Sequence, residues 1–246
     1  MGIEWPADGP ATNAPVPAHM RIAELTLTAP PDLLAEVAEF YGGALGLEGR
    51  HAGDAASFRL GASRLRFRAR PEAAFHHFAL LVPDGRFQAA FDWLTDRAEP
   101  LSAADGEGPV FEFDVWQARA CYCLDPAGNI VELICHEGVG EGSATGAFAG
   151  RELLAISEFG LVGDTAALAA ALAPLGLELW DGELGGPRLA FVGERAHTLI
   201  LSPRGRGWLP TGRPAEAFAA EVIVSGCRPG EIRPAGTPYR VQGRPA

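Results

Sequence analysis

The strongest constraint on this chain is its resemblance to itself. Ile22-Ala23-Glu24-Leu25-Thr26-Leu27 is answered by Ile156-Ser157-Glu158-Phe159-Gly160-Leu161, and Leu45-Gly46-Leu47-Glu48 by Leu175-Gly176-Leu177-Glu178. Both fragments hold matching places in a longer pattern of strand, helix and about three strands. Repetition on this scale means one supersecondary unit used several times, each copy burying its apolar face against a neighbour.

In the first copy, residues 21–29 alternate as a half-buried strand. Ala23, Leu25 and Leu27 share one face and Ile22, Glu24 and Thr26 the other. A helix opens at Pro30-Pro31-Asp32, carries the stripe Leu33, Val37, Phe40 and Tyr41, and is expected to end at Gly42-Gly43. Strand pieces follow around His51, at 56–60 and at 64–68. The second copy has a strand over 75–82, a helical stripe of Phe87, Ala90, Phe91 and Leu94, and strands at 110–116, 120–124 and 130–136. The third begins near Leu153, with a helix through Leu168, Leu172 and Leu175 and strands near 189–192 and 198–201. Residues 220–224 look like the first strand of a fourth copy that stops there.

These boundaries imply a flexible leader at 1–19, paired modules one and two over 20–137, and a Gly/Ser/Ala-rich linker at 138–150. The third module and a single strand of the fourth fill 151–226, and a Pro/Gly/Arg-rich flexible tail covers 227–246. Arg206-Gly207-Trp208-Leu209-Pro210 reads as a rigid turn centred on an aromatic ring, able to cap a cup.

Composition narrows the function. A net charge of −11 argues against general nucleic-acid binding. No apolar run is long enough to span a bilayer, and the first 20 residues lack the features of a secretory signal. The four cysteines have no Cys-x-x-Cys spacing and read as small buried hydrophobes in a reducing, cytoplasmic setting. All 20 basic residues are arginines, which fits a GC-rich coding bias as well as any function.

The densest local signal is Asp125-Pro126-Ala127-Gly128-Asn129 between the apolar runs 120–124 and 130–135, a hairpin turn. Just beyond it Glu132 stands alone among Ile130, Val131, Leu133 and Ile134. A carboxylate in such a strand must be paired, protonated or metal-bound.

Strand-helix-three-strand units in tandem, with Asp-Pro-x-Gly-Asn followed by apolar-apolar-Glu and a His77-Phe78-Ala79 strand start, resemble the vicinal-oxygen-chelate superfamily. That superfamily includes glyoxalase I, extradiol dioxygenases, fosfomycin-resistance enzymes and metal-free bleomycin-resistance proteins. The resemblance implies an α+β fold of tandem βαβββ modules, whose curled mixed sheets form a cup with helices outside. It implies metal ligands at Glu24, His77 and Glu132, with Glu24 where extradiol members have a histidine. Arg66 falls at a fourth ligand position and cannot coordinate, because arginine stays protonated.

Strand parity agrees that Glu24, Arg66 and Glu132 can face one cavity, with Leu65 and Phe67 turned to the helices. Two carboxylates and one imidazole favour Fe²⁺ or Mn²⁺, with Zn²⁺ also admissible. The competing reading of the same residues is a buried Arg66–carboxylate network without metal. His136, beyond Glu132 on the same face, and Tyr122 are catalytic candidates. Arg64, Arg66 and Arg68 are candidate binders of an anionic small-molecule substrate, or else a solvated edge. His76 is read as structural, and no second metal site is expected in module three. The function expected is a metal-dependent dioxygenase, lyase or isomerase, against a metal-free protein sequestering a small molecule in the same cup. No nucleic-acid or membrane partner is expected, and a homodimer is compatible with the sequence.

Overall fold

The repeat runs through four modules, and each closes by laying its last strand parallel to its first. The computed structural model describes residues 20–106, 108–140 and 145–246; the expected leader lies outside these, as do residues 141–144 of the expected linker. Module one comprises β1 (Arg21–Ala29), α1 (Leu34–Ala38), β2 (Gly49–Ala52), β3 (Ala55–Leu60) and β4 (Ser63–Ala69). Module two comprises β5 (His77–Val82), α2 (Phe87–Thr95), β6 (Val110–Phe113), β7 (Ala118–Leu124) and β8 (Ile130–His136). Module three comprises β9 (Ala155–Val162), α3 (Thr165–Leu172), β10 (Leu179–Gly182), β11 (Ala190–Glu194) and β12 (His197–Ser202). A short hairpin, β13 (Gly207–Trp208) and β14 (Arg213–Pro214), leads to module four: β15 (Ala220–Ser225), β16 (Gly230–Ile232) and β17 (Tyr239–Arg244). The parallel pairs are β1–β4, β5–β8, β9–β12 and β15–β17. Among the described residues no helix is long and apolar enough to cross a membrane.

The segment 227–246, expected as a flexible tail, therefore carries two strands. Its Pro/Gly/Arg content hid a period-two pattern: Tyr239 and Val241 are buried, and the Tyr239 hydroxyl accepts the Val162 N–H at 2.9 Å. The first helix also departs from expectation. It runs through Gly42-Gly43 as a π-helical turn over Glu39–Ala44, and the chain turns away at Gly46, where φ is +63°. A left-handed backbone costs glycine nothing sterically.

The modules pair differently from the expected cup over 20–137. β5 lies antiparallel to β9, and β1 antiparallel to β15; β1 and β9 meet at the single pair Ile22↔Ile156. Each first strand has one edge covered by its own last strand, so only the other can accept a partner. Module three takes that edge of module two, and module four takes that edge of module one. The result is an inner cup from modules two and three and an outer cup from modules one and four.

In both cups one extra residue interrupts the antiparallel ladder just before a glutamate: Ala23 before Glu24, and Ser157 before Glu158. Such a bulge resets the alternation of faces. Ile22 consequently joins Leu25 and Leu27 in the core, not Glu24 on the opposite face as simple alternation predicts. Glu24 is then aligned with Arg64, the second residue of β4, and Glu158 with Thr198, the second residue of β12. The two glutamates hold equivalent places. A large apolar cluster lies under the helices and includes Leu25, Phe67, Phe78, Phe159 and Val222. A second fills the inner cup with Phe75, Phe111, Ile130, Ile134, Ile200 and Trp208.

Candidate functional site

The turn at 125–129 assembles the inner cup by hydrogen bonding. One Asp125 carboxylate oxygen accepts the Asn129 N–H at 2.9 Å, and the other accepts the Asn129 side-chain amide at 2.8 Å and the Tyr41 hydroxyl at 2.9 Å. The Asn129 side-chain oxygen accepts the N–H of His76 at 2.8 Å, and the His76 carbonyl accepts the N–H of Ile130 at 2.8 Å. The turn thereby pins the start of β8 to the start of β5. Burial raises the Asp125 carboxyl above its usual range, while the bonds from Asn129 and Tyr41 oppose that rise.

With this register His77 pairs with Ile130 and Ala79 with Glu132. His77, Ala79 and Glu132 share the concave face, and on the other side of β5 the partner of Ala79 is Glu158. The small Ala79 side chain lets carboxylates from the strands on both sides lean over it. His77 Nε2 lies 2.9 Å from Glu132 Oε2, and the Tyr122 hydroxyl donates to Glu132 Oε1 at 3.0 Å. His77, Glu132 and Glu158 are 6%, 2% and 2% exposed, so bulk water does not compensate them.

Glu158 Oε1 is buried without a hydrogen-bond partner among the described residues. Burial pushes its carboxyl well above the ordinary range, and the neighbouring Glu132 charge adds to the rise. Tyr122 is raised by burial, then by Glu132 and Glu158, which keeps its phenol protonated and donating.

The cup is closed over this cluster. The Trp208 ring lies 4.9 Å from the His77 ring, in space that exists because residue 160 is glycine: a Cβ there would come within 2.7 Å of the indole. Arg213 fastens the same hairpin to the 125–129 turn. It donates to the Gly128 carbonyl at 3.1 Å and lies 3.4 Å above the Phe75 ring. At another part of the cup wall, Trp116, Trp180 and Phe191 pack edge to face or tilted.

The residues singled out from the sequence divide between the cups. His77, Glu132 and Tyr122 come together, but Glu24 does not join them, since β1 faces β15. Glu24 accepts from Arg66 at 3.1 Å in the outer cup, and both side chains are partly exposed. Arg66 has the expected parity, with Leu65 and Phe67 in the core, but lies in the other cup from Glu132. Arg64 also lines the outer cup, and Arg68 pairs there with Glu221 at 3.2 Å. His136 is buried at the far end of β8, where burial and then Arg195 lower its pKa to about 4. His76 is buried against Phe159 and Phe218, and burial lowers it to about 3. The residue missed as a partner of His77 and Glu132 is Glu158. The repeat had marked it as the counterpart of Glu24, and only the choice of pairing modules kept it from the site. Among the described residues no group of three or more His, Cys, Asp or Glu side chains is arranged, as it stands, to hold a metal ion.

No family model and no curated protein sequence matches the chain. Solved structures do. The chain is similar to a crystal structure titled "putative dioxygenase" from Bacillus subtilis subsp. subtilis str. 168, at 15% identity and TM-score 0.57, over 92% of this chain and 85% of that one. It also matches glyoxalase I from Zea mays at 14% identity and TM-score 0.46, over 84% and 74% of the two chains. A glyoxalase/bleomycin resistance protein/dioxygenase from Nocardioides matches at 22% identity and TM-score 0.37, over 50% and 89%. The match to the Bacillus structure over 92% of this chain shows a shared fold, one in which every module closes with its last strand parallel to its first. It is the α+β fold of tandem modules that the sequence pattern leads one to expect.

Proposed function

We propose that the inner cup is a divalent-metal centre of glyoxalase/dioxygenase type, held by His77, Glu132 and Glu158 and serving a small substrate with vicinal oxygens. The observation that carries this reading is the unpartnered Oε1 of Glu158, buried beside a second carboxylate. A buried carboxylate without a partner is costly, and a cation removes that cost for Glu132 and Glu158 together. The donor types fit: one imidazole nitrogen and two carboxylates suit Fe²⁺ or Mn²⁺ ahead of Zn²⁺. Coordination by both His77 and Glu132 requires their 2.9 Å hydrogen bond to open. When bound, the ion would supply Lewis-acid stabilisation of charge developing on chelated substrate oxygens.

The chain's own groups do the rest. Tyr122 fixes the orientation of Glu132 through its hydroxyl and, with its raised pKa, serves as a donor and not a base. Trp208 excludes water from the His77 face, so substrate entry requires the 207–214 hairpin to move. His136, four residues past Glu132 along β8, stands about 13 Å away at strand rise, so this reading gives it no role at the ion.

The test is calorimetric titration of chelator-treated protein with Mn²⁺. One ion per chain is expected, lost in Glu132→Gln and Glu158→Gln and retained in Glu24→Gln. Absence of binding, or binding unchanged in Glu158→Gln, favours a second reading, a metal-free protein of the same fold. That reading is supported by the direct His77–Glu132 bond and by a cup filled with its own side chains.

A further inference from the structure

Six of the chain's 20 arginines lie between residues 50 and 70 (Arg50, Arg59, Arg64, Arg66, Arg68 and Arg70), although the chain as a whole carries −11. The register gathers four of them on one sheet face. Arg50 is opposite Ser57, Ser57 is opposite Arg66, and Arg59 is opposite Arg64. Directly opposed side chains in an antiparallel pair have Cβ atoms about 4.5–5.5 Å apart, and like charges placed there repel. These residues and Glu48 line an open cleft of about 510 Å³ in the outer cup.

The chain's acids do not neutralise the cleft. Glu24 lies beside Arg64 in the β1–β4 ladder, yet its carboxylate bonds Arg66. Farther along, Arg68 and Arg240 share Glu221, and Arg240 and Arg233 share Glu231. Among the described residues Arg50, Arg59 and Arg64 have no carboxylate partner. Among the described residues the cleft's lining holds four arginines and one acid, Glu48, with Glu24 paired to Arg66, an excess of positive charge on an otherwise acidic molecule.

We propose that this cleft binds a small organic or inorganic dianion of the diphosphate or phosphate-ester class, with Arg59 and Arg64 forking one anionic group and Arg50 meeting the other. Guanidinium forks suit such oxygens in two-point fashion. An anion between Arg59 and Arg64 also relieves their mutual repulsion. The molecule's overall negative charge disfavours a long polyanion, so the ligand is small. This site is separate from the inner cup and does not depend on a metal there.

The experiment is calorimetric titration of the full chain with pyrophosphate at low ionic strength, with an oligonucleotide as a second arm. Saturable pyrophosphate binding is expected, weakened at least about tenfold in the Arg59→Gln/Arg64→Gln double variant. Arg68→Gln, whose guanidinium already has a partner, should bind within about twofold of the parent. Thermal melts supply an independent reading: pyrophosphate should raise the Tm of the parent and not that of the double variant. No saturable binding, equal binding by the double variant, or tighter binding of the oligonucleotide than of pyrophosphate overturns the proposal.

Discussion

The two cups have the same strand plan and opposite contents. At equivalent positions the inner cup places Glu158, Thr198, Ile200, His77 and Glu132, while the outer cup places Glu24, Arg64, Arg66, Glu221 and Gln242. The inner set is sealed under Trp208 and has more acid than its surroundings neutralise. The outer set is open to solvent and has more base than its acids neutralise. One backbone thus supports a dry acidic pocket and a wet basic cleft. The difference lies in what covers each mouth: the inner cup has the 203–215 segment and a ring of aromatics, whereas module four lacks a helix and ends in three short strands. The same frame thus carries different side chains in equivalent slots.

The largest effect separating the cups should come from Trp208→Ala. Removing a buried aromatic side chain costs about 3–5 kcal/mol, and the variant should melt in denaturant at a correspondingly lower midpoint. It should also bind an apolar dye in the newly opened inner cup. A variant as stable as the parent would mean that the hairpin merely rests on the cup.

Next in size is the contrast between equivalent acids. Glu132→Ala leaves His77 Nε2 and the Tyr122 hydroxyl buried without their partner, at about 1–3 kcal/mol for each stranded group. Glu24→Ala removes one half-exposed ion pair and should cost under about 1 kcal/mol. Equal costs in chemical denaturation would erase the distinction between sealed and open cups.

Acid should also act unequally. His76 and His136 are held below the ordinary histidine value of 6.5, to about 3 and about 4, so at these two sites the folded state binds fewer protons than the unfolded chain, while the raised carboxyls of Asp125 and Glu158 act in the opposite sense. Their neutral burial contributes stability above pH 6.5 that falls away as pH drops toward 4. No buried histidine lies on an outer-cup strand among the described residues. Hydrogen exchange at pH 5 should therefore show inner-cup amides losing protection before those of β15 and β17.

The smallest effect is expected from Arg59→Glu, which turns the opposed Arg59–Arg64 pair into an attractive one. Thermal melts should show a gain of about 0.2–1 kcal/mol. A loss would place the two guanidinium groups on better terms than their register implies.

Much of this was legible in the sequence because periodicity records burial. The order of strands and helix in each module, the 125–129 turn and the shared parity of Arg64, Arg66 and Arg68 follow from apolar spacing and turn chemistry, whereas the nearness of His77 to Glu132 follows from the family resemblance. Three features were not legible. The bulges at Ala23 and Ser157 shift parity by one residue without altering composition. The tail strands are hidden because Gly, Pro and Arg outnumber the few alternating apolar residues. The choice of partner module depends on which free edge meets which, and every module presents a similar edge. That last ambiguity placed Glu24 in the site and left Glu158 out.

The nesting of one pair of modules within the other also sets an order of assembly on the ribosome. Ala79 and Glu158 are neighbours across 79 positions of chain, whereas Glu24 and Ile223 meet across 199. The inner pair can close while the final module is still unsynthesised, since every strand it needs has by then emerged. Until β15 arrives, β1 is left with an uncovered edge next to a partly built sheet, the kind of surface that recruits other chains. Protein truncated before residue 220 should accumulate as associated species through that edge, which β15 otherwise covers.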